Sequence, residues 1–119
     1  MKYMLLIHHN PNFMDDPPEP MDQIGAEVGR LIDELTASGE WVGGEGLADI
    51  SQAKVVRVRD GVPAVTDGPY LETKEYIASF YLLDCENEER ALQIAADMPW
   101  ADAEPVEFWP VLHEATPDL

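Results

Sequence analysis

Two stretches of this chain are apolar on both faces of an extended strand, and that restricts its fold more than any other feature. Lys2 to His8 puts Tyr3, Leu5 and Ile7 on one side and Met4, Leu6 and His8 on the other. Ile77 to Cys85 sets Phe80 and Leu82 against Tyr81 and Leu83. A strand with one wetted face alternates apolar and polar residues, so this pair is expected to be buried on both faces.

The segments around them supply cover for one face only. Met21, Ile24, Val28, Leu31, Ile32 and Leu35 recur at helical spacing, with Pro20 near the first turn and Gly39 past the last. Asn87 is placed to cap a second helix, with Glu88 and Glu89 in its first turn. Ala91, Leu92, Ala95 and Met98 form its expected apolar stripe, and Pro99 ends it. Trp41 to Leu47 is a weak strand, because Gly43, Gly44 and Gly46 mark a bulge or a close approach by another group. Asp49 to Gln52 turns the chain. Lys54 to Arg59 and Val62 to Thr66 form a hairpin about Asp60-Gly61, a strong two-residue turn signal. Val106, Phe108 and Val111 mark a closing strand in which Pro110 predicts an edge position or a bulge. His113 to Leu119 is expected to fray.

The order is strand, helix, strand, hairpin, strand, helix, strand. Two βαβ-like halves around an antiparallel sheet predict a ferredoxin-like α+β fold in a single domain over residues 1–119. Two helices cover one face of such a sheet. The economical cover for the other is a second copy of the chain, a homodimer related by a two-fold axis.

Charge narrows the partners. A formal net charge of −17 on 119 residues repels nucleic-acid phosphates and anionic membrane, so both are excluded. No run approaches membrane-spanning length, no charged-then-apolar leader precedes the first strand, and Cys85 is the single cysteine. These features predict a cytoplasmic protein without an internal disulfide.

The densest group of chemically useful side chains is Val65-Thr66-Asp67-Gly68-Pro69-Tyr70-Leu71-Glu72-Thr73-Lys74-Glu75. Asp67-Gly68-Pro69 is a turn former. Asp67, Glu72 and Glu75 with Lys74 among them can hold carboxylates at unequal pKa values, as acid/base work requires. Asp67 or Glu72 would be the base if desolvated, with Lys74 holding an anionic group or a neighbouring carboxylate. The competing reading is a solvated loop, in which Asp67 caps the turn and Lys74 bridges Glu72 and Glu75. His9 to Pro20 holds four prolines and no periodicity, as a lid or cleft rim would.

His8 and His9 point to opposite sides of a strand, so at most one faces a given cleft; His8 is the candidate for chemistry. No close His/Cys spacing supplies a metal site, and Gly43-Gly44-Glu45-Gly46 lacks the strand-to-helix context of a phosphate loop. No cofactor is expected. Trp109 is placed either to stack on a flat ligand or to join the dimer face.

Thr66-Asp67-Gly68-Pro69-Tyr70-x-Glu72-Thr73-Lys74-Glu75 resembles the signature of the DGPF subgroup of the YCII-related proteins, with Tyr70 where Phe is usual. Met1-Lys2-Tyr3-Met4-Leu5-Leu6-Ile7, Gly44-Glu45-Gly46-Leu47 and Phe80-Tyr81 extend the likeness. The resemblance implies a dimeric α+β-barrel arrangement, with Asp67, Gly68, Pro69, Tyr70, Glu72, Lys74 and Glu75 forming a site. It also implies a His–Asp pair from which this chain departs: the first helix has no histidine, and Met98 stands where aspartate is common. Relatives carry Glu-x-Arg-Pro in the last strand; here it reads Glu107-Phe108-Trp109-Pro110. Two functions follow as expectations: a small-molecule or partner-binding homodimer, or a cofactor-independent acid/base enzyme of isomerase or lyase type.

Overall fold

The computed structural model describes residues 1–9, 21–68, 76–102 and 104–115. Its elements are β1 (Lys2–His9), α1 (Met21–Ser38), β2 (Trp41–Gly46), β3 (Lys54–Arg59), β4 (Val62–Asp67), β5 (Tyr76–Asp84), α2 (Glu88–Asp97) and β6 (Val106–Pro110). Strands β2-β5-β1-β6 make one sheet in that order, antiparallel at every pairing, while β3 and β4 form a separate two-stranded sheet. This is the expected ferredoxin-like architecture, with the hairpin inserted between β2 and β5. Pro110 does lie on an edge strand, where its missing N–H leaves no ladder bond unmade.

The helix boundaries follow their caps. Gly39 takes φ +82° after α1, so that its N–H reaches Thr36 O at 3.2 Å and the Glu40 N–H reaches Leu35 O at 2.9 Å. Those two bonds satisfy carbonyls that the helix end leaves open. The Asn87 side chain accepts from the Arg90 N–H at 2.9 Å, capping α2 as its residue type predicts. Asp60 and Gly61 both adopt positive φ, 52° and 76°, the geometry a two-residue hairpin turn requires.

Alternation along β1 divides its side chains cleanly. Tyr3, Leu5, Ile7 and His9 are buried under the helices; Lys2, Met4, Leu6 and His8 are half-buried on the open face. Tyr81 and Leu83 of β5 join the covered set, with Leu35, Cys85, Ala91, Ile94, Met98 and Trp100 closing the core. Burial pushes the Cys85 thiol above its ordinary pKa, which keeps it neutral and unreactive. One expectation needs correction: Leu92 is exposed and Ile94 is buried. Positions 91, 94, 95 and 98 make the helical stripe, and Leu92 lies roughly 100° from residue 91 around the axis.

Glu40, at the entry to β2, locks α2 onto the sheet. Arg90 donates from Nε at 2.8 Å and from Nη2 at 2.9 Å to its two carboxylate oxygens. The guanidinium, then the Ser38 hydroxyl, hold the Glu40 carboxyl below its usual range. Because Arg90 is partly solvated, Glu40→Gln is expected to cost only about 1 kcal/mol. A depressed folded pKa stabilises above the unfolded value and loses that contribution as pH falls through the folded one. The stability gap between wild type and Glu40→Gln, measured by urea titration, is therefore full near pH 7 and closes below pH ~4. In the C-terminal segment expected to fray from His113, Lys2 Nζ meets Glu114 at 2.8 Å, and residues 116–119 lie outside the described residues.

Candidate functional site

The end of the sheet at which β1 finishes and β5 begins gathers the chemistry. His9 pairs with Tyr76 and His8 with Ile77, across a register shift after Ile7. The hairpin returns to the same end. Gly68 donates its N–H to Ala53 O at 2.9 Å, and a Cβ there would lie 3.2–3.3 Å from Val55 Cγ2 and the backbone carbons of Ala53 and Lys54. A side chain at 68 would push the hairpin base away from Ala53, which accounts for glycine in this position.

A cavity of about 410 Å³ opens beside that contact, walled by Leu47, Asp49, Ile50, Ala53, Tyr76 and Ile77 among others. The wall is built locally. Leu47 donates its N–H to Ala78 O at 2.8 Å, and the Asp49 carboxylate accepts from the Ser51 N–H at 3.1 Å, capping the 3₁₀ turn Ile50–Gln52. The Ser51 hydroxyl and then its N–H hold Asp49 below the usual carboxylate range, so it is ionised at neutral pH. Burial, with the charges of Asp49 and Glu104, pushes the Tyr76 phenol up. The mostly apolar cavity thus has a neutral phenol, a fixed carboxylate and the Gln52 amide in its lining, a set that can hold and orient a small hydroxylated ring.

The two histidines divide as strand alternation requires. His9 is buried on the helix side, with its ring 5.1 Å from Trp100 and 6.4 Å from Tyr76 between centroids. Desolvation lowers its pKa first of all, favouring the neutral ring. His8 lies on the open face, with Nε2 3.5 Å from Glu107 Oε1. Trp109 Nε1 donates to Glu107 Oε2 at 3.1 Å, and this bond, followed by the attraction of His8, lowers the Glu107 pKa. At 3.5 Å the His8–Glu107 contact is longer than a good hydrogen bond, and Nε2 has no hydrogen-bond partner among the described residues.

Of the residues singled out from sequence, His8 and Trp109 come together through Glu107. Asp67 and Gly68 sit instead at the hairpin base near the cavity wall. The Asp67 side chain is 94% exposed and meets Lys54 Nζ at 3.5 Å, so the desolvation that a base role needs is absent within one chain. Pro69, Tyr70, Glu72, Lys74 and Glu75, and the proline-rich stretch 10–20, lie outside the described residues. Sequence reasoning passed over His9, Tyr76 and Asp49. The signal for His9 was present, since it shares its parity with Tyr3, Leu5 and Ile7. Among the described residues no three His, Cys, Asp or Glu side chains converge as metal ligands, and no helix is long and apolar enough to cross a membrane.

Fold and site together define a small ferredoxin-like α+β protein with a sheet face that its helices leave open and a mainly apolar cavity at one end. The chain belongs to the YCII-related family, whose domain it matches over residues 1–114. "Uncharacterized protein R00369" of Rhizobium meliloti (strain 1021) is 40% identical over 52 residues, which is 44% of this chain and 42% of that protein. The match therefore spans less than half of that relative. Among solved structures, the 5-chloro-2-hydroxyhydroquinone dehydrochlorinase TftG of Burkholderia phenoliruptrix AC1100, in complex with 2,5-dihydroxybenzoquinone, aligns with TM-score 0.50 and 15% identity. The alignment covers 92% of this chain and 94% of that one, and it shows a shared fold.

Proposed function

We propose that the protein is a cytosolic homodimer of the DGPF subgroup that binds a small, flat, hydroxylated molecule in the cavity at the hairpin base. The observation that carries this reading is the cavity of about 410 Å³, which is mainly apolar and has Asp49, Gln52 and Tyr76 as the polar residues of its lining. Its volume suits a single ring with substituents. Gly68, the described core of the DGPF signature, is bonded to Ala53 in the cavity wall. The dimer is supported by Met4, Leu6, Phe80 and Leu82, half-buried on a sheet face that the chain's own helices leave open. A lone, buried Cys85 suits a reducing interior. The ligand complexed with TftG is itself a small dihydroxylated ring, and 2,5-dihydroxybenzoquinone is the first probe to test.

Isothermal titration with that probe and a panel of hydroquinones is expected to show saturable binding. Tyr76→Phe removes one hydrogen bond of about 1.4 kcal/mol and weakens binding about tenfold. Ala53→Phe fills the cavity and abolishes binding, with the far-UV spectrum unchanged. Wild-type protein that ignores the whole panel rejects the reading.

One observation favours the alternative of cofactor-independent acid/base catalysis. Glu107 lies 3.5 Å from His8 and is itself fixed by Trp109, which places a carboxylate beside an imidazole, the residue pairing that acid/base work uses. In that case His8→Gln loses turnover and keeps ligand affinity. For a pure binding protein no turnover appears in either variant.

A further inference from the structure

The cavity at the hairpin base is one-sided in charge. Among the described residues of its lining Asp49 carries the only charge, and no Lys, Arg or His joins it. Lys54 follows Ala53 in the chain, but its Nζ lies 3.5 Å from Asp67 on the hairpin. Backbone donors of the wall that could hold an anion are spent inside it. The Leu47 N–H donates to Ala78 O at 2.8 Å, the Gln52 N–H to Asp49 O at 2.9 Å and the Ala53 N–H to Ile50 O at 3.1 Å. The Ser51 N–H goes to the Asp49 carboxylate itself.

That carboxylate is held in place without being used up. Both Ser51 bonds, from the N–H and from the hydroxyl, fall on Oδ2, and neither occupies Oδ1. Tyr76 and Gln52 add neutral groups that can donate or accept. The phenol also registers the local field: after burial, the negative charges of Asp49 and Glu104 keep its proton in place. A ligand in this lining gains most by donating hydrogen bonds, and any charge on it is better positive than negative. We propose that the cavity selects its hydroxylated ring by charge, with Asp49 as the selecting residue: a protonated amine on the ring is preferred, a neutral phenol is accepted, and a ring carboxylate is disfavoured. This rests on the cavity-binding reading above and adds the charge class of the ligand to it.

The test is isothermal titration with tyramine, 4-ethylphenol and 4-hydroxyphenylacetate, phenols of similar size that are cationic, neutral and anionic at neutral pH. Tyramine is expected to bind about tenfold tighter than 4-ethylphenol, and 4-hydroxyphenylacetate about tenfold more weakly. For the same reason 2,5-dihydroxybenzoquinone, whose hydroxyls are acidic, is expected to bind less tightly than hydroquinone. Asparagine caps a turn as aspartate does, so Asp49→Asn keeps the wall while bringing the three affinities within about threefold of one another. Asp60→Asn, in the hairpin turn and outside the cavity lining, removes the same formal charge and leaves the wild-type order in place. If the three phenols bind alike and Ala53→Phe blocks them all, charge selection is overturned and the cavity reading stands. An Asp60→Asn effect as large as that of Asp49→Asn overturns it too, because the acidic surface as a whole would then set the order. If neither these phenols nor any hydroquinone binds, the cavity reading fails and this inference with it.

Discussion

Gly44→Ala is expected to cost about 2–3 kcal/mol, as overpacking at a closed site does. A Cβ at Gly44 would sit 2.7 Å from Tyr81 Cδ1, 2.8 Å from Phe80 O and 3.1 Å from Trp41 Cη2. The ring atoms cannot simply swing aside, because Trp41 and Tyr81 pack with centroids 5.2 Å apart against the core. The carbonyl is part of β5, and displacing it disturbs the pairing of Gly44 with Tyr81 and of Glu45 with Phe80. For a domain of this size such a loss lowers Tm by about 8–12 °C. Gly43 and Gly46 supply the control, for a Cβ at either meets nothing within 4 Å. Their alanine variants are expected within about 0.5 kcal/mol of wild type, the range of substitutions that touch no special feature. Equal thermal shifts in all three variants would show that general strand propensity, and not the contact with Tyr81, sets the requirement.

That contrast also marks how far the sequence was readable. Three glycines in one strand announced a bulge or a close approach, and both occur: the register shifts between Trp41 and Gly43, and Gly44 meets the Tyr81 ring. Which glycine served which purpose depended on Tyr81, far along the chain, and no local pattern reports that. The hairpin at Asp60-Gly61, the Asn87 cap and the two-faced strands were legible because each is a local rule applied over a few residues. The site was less so. Asp67 reads as one of a carboxylate cluster with Glu72 and Glu75, yet the ladder sets it opposite Lys54, thirteen residues earlier. The cavity wall from Leu47 to Ala53 is an aperiodic excursion, and its polar residues are a turn cap, a glutamine in that turn and a tyrosine one residue past the signature. His9 was visible by parity alone. Its neighbour Trp100 follows a helix whose packing had to be seen.

Leu6→Asp is expected to turn the proposed homodimer into a monomer at micromolar concentration, with at least a hundredfold rise in Kd, or about 2.7 kcal/mol. Leu6 occupies the middle of the open face, opposite Phe80 on β5 and Glu107 on β6. Central apolar positions carry most of an interface's free energy, and a carboxylate buried there without a partner costs several kcal/mol. The single chain bears little of that cost, because in it this side chain is only half-buried on the face turned from the core. Monomer fold and α2 packing should therefore persist, as a near-unchanged circular dichroism spectrum would report. Electrostatics separates this mechanism from a trivial one. Two subunits of formal charge −17 would already repel, so the proposed homodimer is expected to tighten as salt screens them. If Leu6→Asp acted only by adding one charge to each subunit, high salt would restore the dimer. If it acts by placing a carboxylate in an apolar contact, salt leaves most of the loss in place, and the neutral Leu6→Asn weakens the dimer nearly as much. An unchanged sedimentation mass for Leu6→Asp would mean that the open face is not where two copies meet. The half-buried side chains of Met4, Phe80 and Leu82 would then face water, and the apolar patterning of β1 and β5 would have no structural cause.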